Sequence, residues 1–333
     1  MNSRTRRKTS LAQFLTIGGL FVALLLVVPR FADAFQTMIL TYGFILAIAT
    51  LGFNLLLGYT GLLSFGHAAY FGVGVYAVAF MGRDLGIVSM ELFIVGGLAA
   101  TGFVTALFGF VCVRHTKAFF TILTLALAQV LWSLAFKFFW VTGGTDGMVV
   151  KRPTLLGGLL GYAETGSFPR FVHDYYYYVL VLFCACVAFM WWVVHSPFGK
   201  ALQSIRDNET RAAFVGVEVR RYRWIAFMIS GLLVGLAGIL WAPLSGVAEP
   251  HVLFFTFSGK LALLTLLGGF RNFTGPIVGA LFYNHISATH ALSFLQIPAG
   301  VLLIVVIVFL PRGIVGTFLR VVEWARQRRR PEP

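Results

Sequence analysis

Leu51–Tyr76 reads LGFNLLLGYTGLLSFGHAAYFGVGVY, an apolar run punctuated by glycine. A membrane-crossing helix is expected to end near Leu57, because the Gly58-Tyr59-Thr60-Gly61 segment that follows carries turn residues. Ser64 is placed to N-cap a new helix starting near Phe65, with His67 in its first turn. Gly66, Gly72 and Gly74 on that helix would let neighbouring helices approach closely. A helix that begins inside a bilayer aims unsatisfied N–H groups into the bundle, and transporters use such breaks to meet polar or anionic groups. The stretch therefore predicts a broken-helix membrane protein.

The surrounding chain supports this class. Hydrophobic residues make up 59% of the 333 and charged residues 11%, which excludes a soluble enzyme, a disordered chain and a secreted disulfide scaffold. A crossing needs about 20 apolar residues. Spans are expected at 11–28, 34–57, 67–81, 91–113, 119–141, 175–194, 224–244, 258–270, 276–293 and 297–310. The short segments 67–81 and 258–270 read as half-helices or re-entrant pieces. The fold class is all-α and polytopic, with eight to ten transmembrane helices and Gly-rich broken segments. The first span follows Arg4, Arg6, Arg7 and Lys8 and precedes an Ala32-Asp33-Ala34 triplet. It is longer than a signal-peptide core and reads as an uncleaved helix.

The net charge of +14 is a topology signal. Lys and Arg crowd into 1–10, 114–117, 195–223 and 311–333, whereas Asp33, Asp84, Glu91, Asp146, Glu164, Asp174 and Glu249 lie on the opposite side of ten alternating crossings. Positive residues mark the cytoplasmic side, so both termini are expected there. The organisation is a basic N-terminus (1–10), a permease-like membrane domain (11–310) and a basic tail (311–333). An outer loop spans 142–173 and an inner loop 195–223.

The inner loop carries GKALQSIRDNETRAAFVG (199–216). Read as one helix, it places Lys200, Gln203, Ser204, Asp207 and Arg211 on one side and Leu202, Ile205, Ala212 and Ala213 on the other. Glu209 falls in the apolar stripe, where it needs a partner; Arg206, three residues earlier, is the expected one. This amphipathic element suits docking to a cytoplasmic protein, with Gly199, Arg206, Asp207, Glu209, Ala213 and Gly216 as candidates.

By polarity and placement in or beside the spans, the candidates for a translocation path are Asn54, Gly61, Ser64, His67, Gln129 and Thr142. Thr121, Thr124, Ala128 and Trp132 share one helical face with Gln129 on its flank. Gly231-x-x-x-Gly235 and Gly275-x-x-x-Gly279 are close-packing signatures. No P-loop motif occurs. The three cysteines form no C-x-x-C pair, and the seven histidines show no zinc-type spacing. Catalytic, cofactor and metal residues are accordingly assigned to none, and an enzyme is not expected.

The block at 51–76, the TGGTDGM turn at 142–148, the GKALQSIRDNETRAAFVGV loop and the LGGFRNFTGPIVGA run at 267–280 together resemble the branched-chain amino acid ABC transporter permease family, LivM type. The resemblance covers roughly 34–315. It implies a multi-pass permease of the bacterial inner membrane, importing branched-chain or related amino acids. Its implied partners are a homologous second permease, two cytoplasmic ATPase subunits and a periplasmic binding protein. The Glu209-Thr210-Arg211-Ala212-Ala213…Gly216 pattern is similar to the E-A-A…G element through which such permeases dock on their ATPases. The alternatives are a urea, amide or organic-acid permease of the same family, or a stand-alone facilitator or channel.

Overall fold

The structure is a computed structural model, and it describes residues 25–115, 117–158, 168–288, 313–318 and 320. The expected spans 11–28 and 297–310 lie largely or wholly outside these residues, as does most of the basic tail. The described chain is organised by the helices α1 (Ala34–Asn54), α2 (His67–Asp84), α3 (Met90–Cys112), α4 (Lys117–Lys137), α5 (Phe168–His195), α6 (Pro197–Asp207), α7 (Glu209–Phe214), α8 (Val219–Ser245), α9 (Phe255–Gly268) and α10 (Gly275–Ala288), with a single helical turn Phe139–Thr142 after α4. Five segments are long and apolar enough to cross a membrane: Ala34–Thr60, Met90–Cys112, Ala118–Lys137, Phe168–His195 and Val219–Ser245. Helices α2, α9 and α10 are shorter apolar helices packed among them. Helix α5 begins seven residues before the expected start. His173 and Asp174 depress the local hydropathy, yet they sit in the terminal turns of a continuous helix.

Helix α1 is the axis of the bundle, with α5, α8 and α10 packed around it. Most of the Ala34–Thr60 segment is enclosed by protein. Within a bilayer every backbone polar group must find an internal partner, and side-chain hydroxyls here do the same. Thr41 Oγ1 donates to the Thr37 carbonyl at 2.8 Å. Tyr175 OH donates to the Leu240 carbonyl at 2.7 Å and Tyr176 OH to the Leu25 carbonyl at 2.8 Å. The rings then pack as apolar bodies, with Phe44 stacked on Phe183 at 5.0 Å between centroids.

Close helix crossings explain the glycines. A Cβ on Gly74 of α2 would lie 2.3 Å from the Gly235 carbonyl oxygen of α8, and one on Gly238 would lie 2.0 Å from that of Phe71. Backbone touches backbone there, which only glycine permits. The 275/279 pair plays the same part between α10 and α9: a Cβ on Gly279 would meet the Leu264 carbonyl oxygen at 2.1 Å.

At one end of the bundle the loop after α4 folds back over its neighbours. Strand β1 (Met148–Val149) pairs antiparallel with β2 (Val247–Ala248), register Met148 to Ala248. The Met90 N–H reaches the Thr154 carbonyl at 3.0 Å, the Thr154 N–H reaches that of Val88 at 2.7 Å, and Arg83 Nη1 donates to the Val141 carbonyl at 2.7 Å. This end is knitted by main chain. The other end carries α6 and α7.

Candidate translocation and coupling site

The π-helical turn Leu55–Thr60 extends α1, and Gly61 (φ +73°) stops it in the left-handed conformation. The Leu62 N–H returns to the Leu56 carbonyl at 3.0 Å, as in a Schellman-type close. Helix α2 starts only at His67, so 61–66 is non-helical chain among packed helices.

Ser64 does not cap α2 as expected. Its Oγ accepts instead from the Gly66 N–H at 3.2 Å, a local two-residue turn that competes with capping. The Ala68 N–H in the first turn of α2 is served from another helix, by Ser258 Oγ of α9 at 2.8 Å. The Leu63 carbonyl accepts from Thr121 Oγ1 of α4 at 2.8 Å. The polar groups of the break are thus satisfied by its own Ser64 and by side chains from two other helices, α4 and α9.

His67 is fully buried. Its Nε2 lies 2.8 Å from Ser230 Oγ of α8, and Ser230 donates to the Gly52 carbonyl of α1 at 2.6 Å. A hydroxyl has one proton to give. Ser230 therefore accepts from His67, which fixes the imidazole as the Nε2–H tautomer. Asn54 lies one turn below Gly58, so close that a Cβ there would come within 2.4 Å of Asn54 Oδ1; that oxygen is buried without a hydrogen-bond partner among the described residues.

The six path candidates separate into groups. Asn54, Gly61, Ser64 and His67 cluster at the break. Gln129 stands farther along α4, its buried Nε2 without a partner among the described residues. Thr142 lies at the far end, where its hydroxyl has the Ala135 and Phe138 carbonyls at 2.6 and 2.9 Å as acceptors for its one proton and accepts from the Gly144 N–H at 3.3 Å. It closes the turn after α4.

The expected single helix over 199–216 is two helices. Ser196 caps α6 with Pro197 in its first turn, a favoured start. Leu202 and Ile205 bury the apolar face. Helix α6 ends at Asp207, and Asn208 in extended conformation caps α7 by accepting from the Arg211 N–H at 2.9 Å. The chain turns at Asn208, so faces drawn continuously across it do not exist. The expected Arg206–Glu209 pair is also replaced. Arg206 Nη1 donates to the Gly58 carbonyl at 2.5 Å and its side chain pairs with Asp207 at 3.2 Å. Glu209 instead holds a two-pronged pair with Arg223 of α8, both bonds 2.8 Å.

Of the other docking candidates, Gly199 is buried against the Val194 carbonyl, whereas Ala213 and Gly216 (φ +90°) are exposed. Sequence reading missed three residues. Arg223 shares a helical face with Ala226, Phe227 and Ser230, all buried, and a cation on a core face demands a carboxylate. Phe214 and Val215 are 88% and 81% exposed at the tip of α7, the apolar end of an otherwise polar element. Between α6, the end of α5 and the α9–α10 link lies an open cleft of about 980 Å³ bordered by Lys200, Arg206 and Arg271.

The family profile described as "Branched-chain amino acid transport system / permease component" matches residues 36–311. The chain belongs to that family. Among its relatives, the high-affinity branched-chain amino acid transport system permease protein LivM of Escherichia coli is 27% identical over 73% of this chain and 60% of its own length. LivM of Salmonella typhimurium is 26% identical over 79% of this chain and 66% of its own length. LivH of Escherichia coli is 24% identical, covering 83% of this chain and 92% of its own. The chain thus spans under two thirds of the LivM relatives it matches. No solved structure matches. Family membership and the apolar helices make this a helical, multi-pass membrane protein.

Proposed function

We propose that this family member is the permease subunit of an ATP-driven importer for branched-chain or related amino acids in the bacterial inner membrane. In this reading the α6–α7 end faces the cytoplasm, as do both termini, because the basic residues gather there. A homologous second permease, two ATPase subunits and a periplasmic binding protein complete the assembly. The path runs along the face where α2 and α4 meet, past the break at Gly61–Gly66 and alongside Gln129.

One observation carries the mechanical part. Helix α7 projects an exposed apolar tip, Phe214 and Val215, while its first residue is clamped to the core helix α8 through Glu209 and Arg223. A push on the tip is transmitted to α8, and α8 holds His67 through Ser230. Arg206 links α6 to the end of α1 at Gly58 in parallel. Docking therefore acts on both helices that border the break. Asp207, Ala213 and Gly216 supply the exposed rim, and Gly199 the tight start of α6.

The test is uptake of radiolabelled L-leucine by membrane vesicles containing the chain with its partner subunits. Uptake is expected to require ATP and to vanish when the ATPase is inactivated. Leucine entry that continues down its gradient without any ATPase would mark a facilitator and overturn the proposal.

A further inference from the structure

At the end of the bundle opposite α7, two cavities flank the contact between α4 and the turn Pro250–Leu253. The first, about 320 Å³, has aromatic walls from Trp132, Phe136 and Phe254 and carries Glu249, His251 and Thr256. The second, about 270 Å³, is almost wholly apolar and is lined by Val73, Tyr76, Leu131, Leu134 and Leu253. Consecutive residues of α4 (131 and 132) and of the turn (253 and 254) line one and the other, so the two are neighbours. Together they reach the size of a small-ligand site.

Three chemistries converge on this place. The Glu249 carboxylate makes no ion pair or hydrogen bond among the described residues and is exposed to the first cavity. Helix α9 starts beside it at Phe255 with no side-chain cap. The Phe257 N–H bonds the Phe254 carbonyl at 3.0 Å; the Phe255 and Thr256 N–H groups before it have no acceptor within their own helix and stand at the positive end of its dipole. Tyr76, on the wall of the apolar cavity, is only 6% exposed, and its hydroxyl has no partner among the described residues.

We propose that these cavities form an amino-acid cradle: Glu249 takes the substrate ammonium, the first turn of α9 with Thr256 takes its carboxylate, and the apolar cavity beside Tyr76 takes a branched aliphatic side chain. The inference rests on the amino-acid permease reading above and assigns the recognition to residues. Neither charged group of a zwitterion alone explains both an unpaired carboxylate and an uncapped helix start at one cavity; together they do. The apolar cavity accommodates a hydrocarbon branch and offers a charged side chain no partner.

Thr145 is exposed and lines the first cavity, which makes T145C a reporter. The chain carrying it, with its partner subunits in vesicles, is treated with a charged thiol reagent. Saturating L-leucine is expected to slow the modification at least threefold. Its analogues 4-methylpentanoate, lacking the ammonium, and 3-methylbutylamine, lacking the carboxylate, are expected to leave the rate unchanged. E249Q should abolish leucine protection, taken as the ratio of its own rates with and without leucine, and L131W, which fills the apolar cavity, should abolish protection by leucine but not by alanine. Leucine uptake is measured on the same vesicles. Uptake with no protection, or protection that survives E249Q, or equal protection by either analogue, overturns the cradle alone. Absence of any amino-acid uptake overturns the parent reading.

Discussion

Removing Glu209 should free α7 from the bundle, and the size of the effect follows from the two burials. The Arg223 side chain is 7% exposed and that of Glu209 46%. Breaking a fully buried pair from one side costs about 3–5 kcal/mol, while an exposed pair is worth about 0.2–1 kcal/mol. With one partner buried and the other half in water, E209A should cost about 2 kcal/mol, most of it from the guanidinium left without a counter-charge. Six residues cannot hold a helix unaided, so this cost falls on the local opening of α7. About 2 kcal/mol corresponds to roughly 30-fold in population. Hydrogen exchange over 209–217, measured by mass spectrometry on the chain in nanodiscs, should accelerate by about that factor. The reverse deletion is milder. R223M keeps an apolar stem in the core and leaves a carboxylate that water reaches, so it should accelerate exchange several-fold less, and E209A/R223M should resemble R223M. An acceleration under threefold in E209A, or additive effects in the double variant, would refute the argument.

Three further outcomes follow from the packing. G74A forces a Cβ against the Gly235 carbonyl and should destabilise by about 1–3 kcal/mol or more, read as a lower thermal midpoint in detergent. G82A, whose nearest contact would be 3.7 Å, should hold or raise it by helix propensity. S258A strands the buried Ala68 N–H and should cost about 1–3 kcal/mol in a denaturant titration, with S258T recovering part of the loss. Nitrogen NMR of labelled histidine should show His67 as the Nε2–H tautomer, with S230A removing that preference; an Nδ1–H form in the unaltered chain would contradict the bond direction assigned here.

What could be read in advance divides along physical lines. A break after α1 was legible because its glycines are local and their effect on a helix is local. Its start was read too early: a π-helical turn carries the chain past Leu57 to Thr60, and the non-helical part is 61–66. The function of Ser64 was not legible, since the helix starts at His67 rather than near Phe65, and the Ala68 N–H of its first turn is met by Ser258, 190 residues away in sequence. The amphipathic pattern of 199–216 was real in both halves, but periodicity reads straight through a cap. The signal was present in Asn208, a favoured N-cap residue, and outranks the periodic fit. Arg223 was overlooked for a similar reason: in a run with Arg220 and Arg221 it counted toward topology, although its neighbours three, four and seven positions on are core residues. The start of α5 was placed late because averaged hydropathy penalises polar residues that a membrane edge accepts.

The non-helical stretch and the turn after it hold their backbone polarity with side chains lent by two different helices, neither of which shares a turn with them. Sliding any lender aside bares a donor or acceptor in a place where hydrocarbon offers nothing in return. Movement and wetting at this spot are thus one event: the helices can part only as far as solvent, or a solute rich in polar atoms, follows them in. In the importer reading proposed above, the bonds that hold this stretch when dry are ones that a polar solute is chemically equipped to replace.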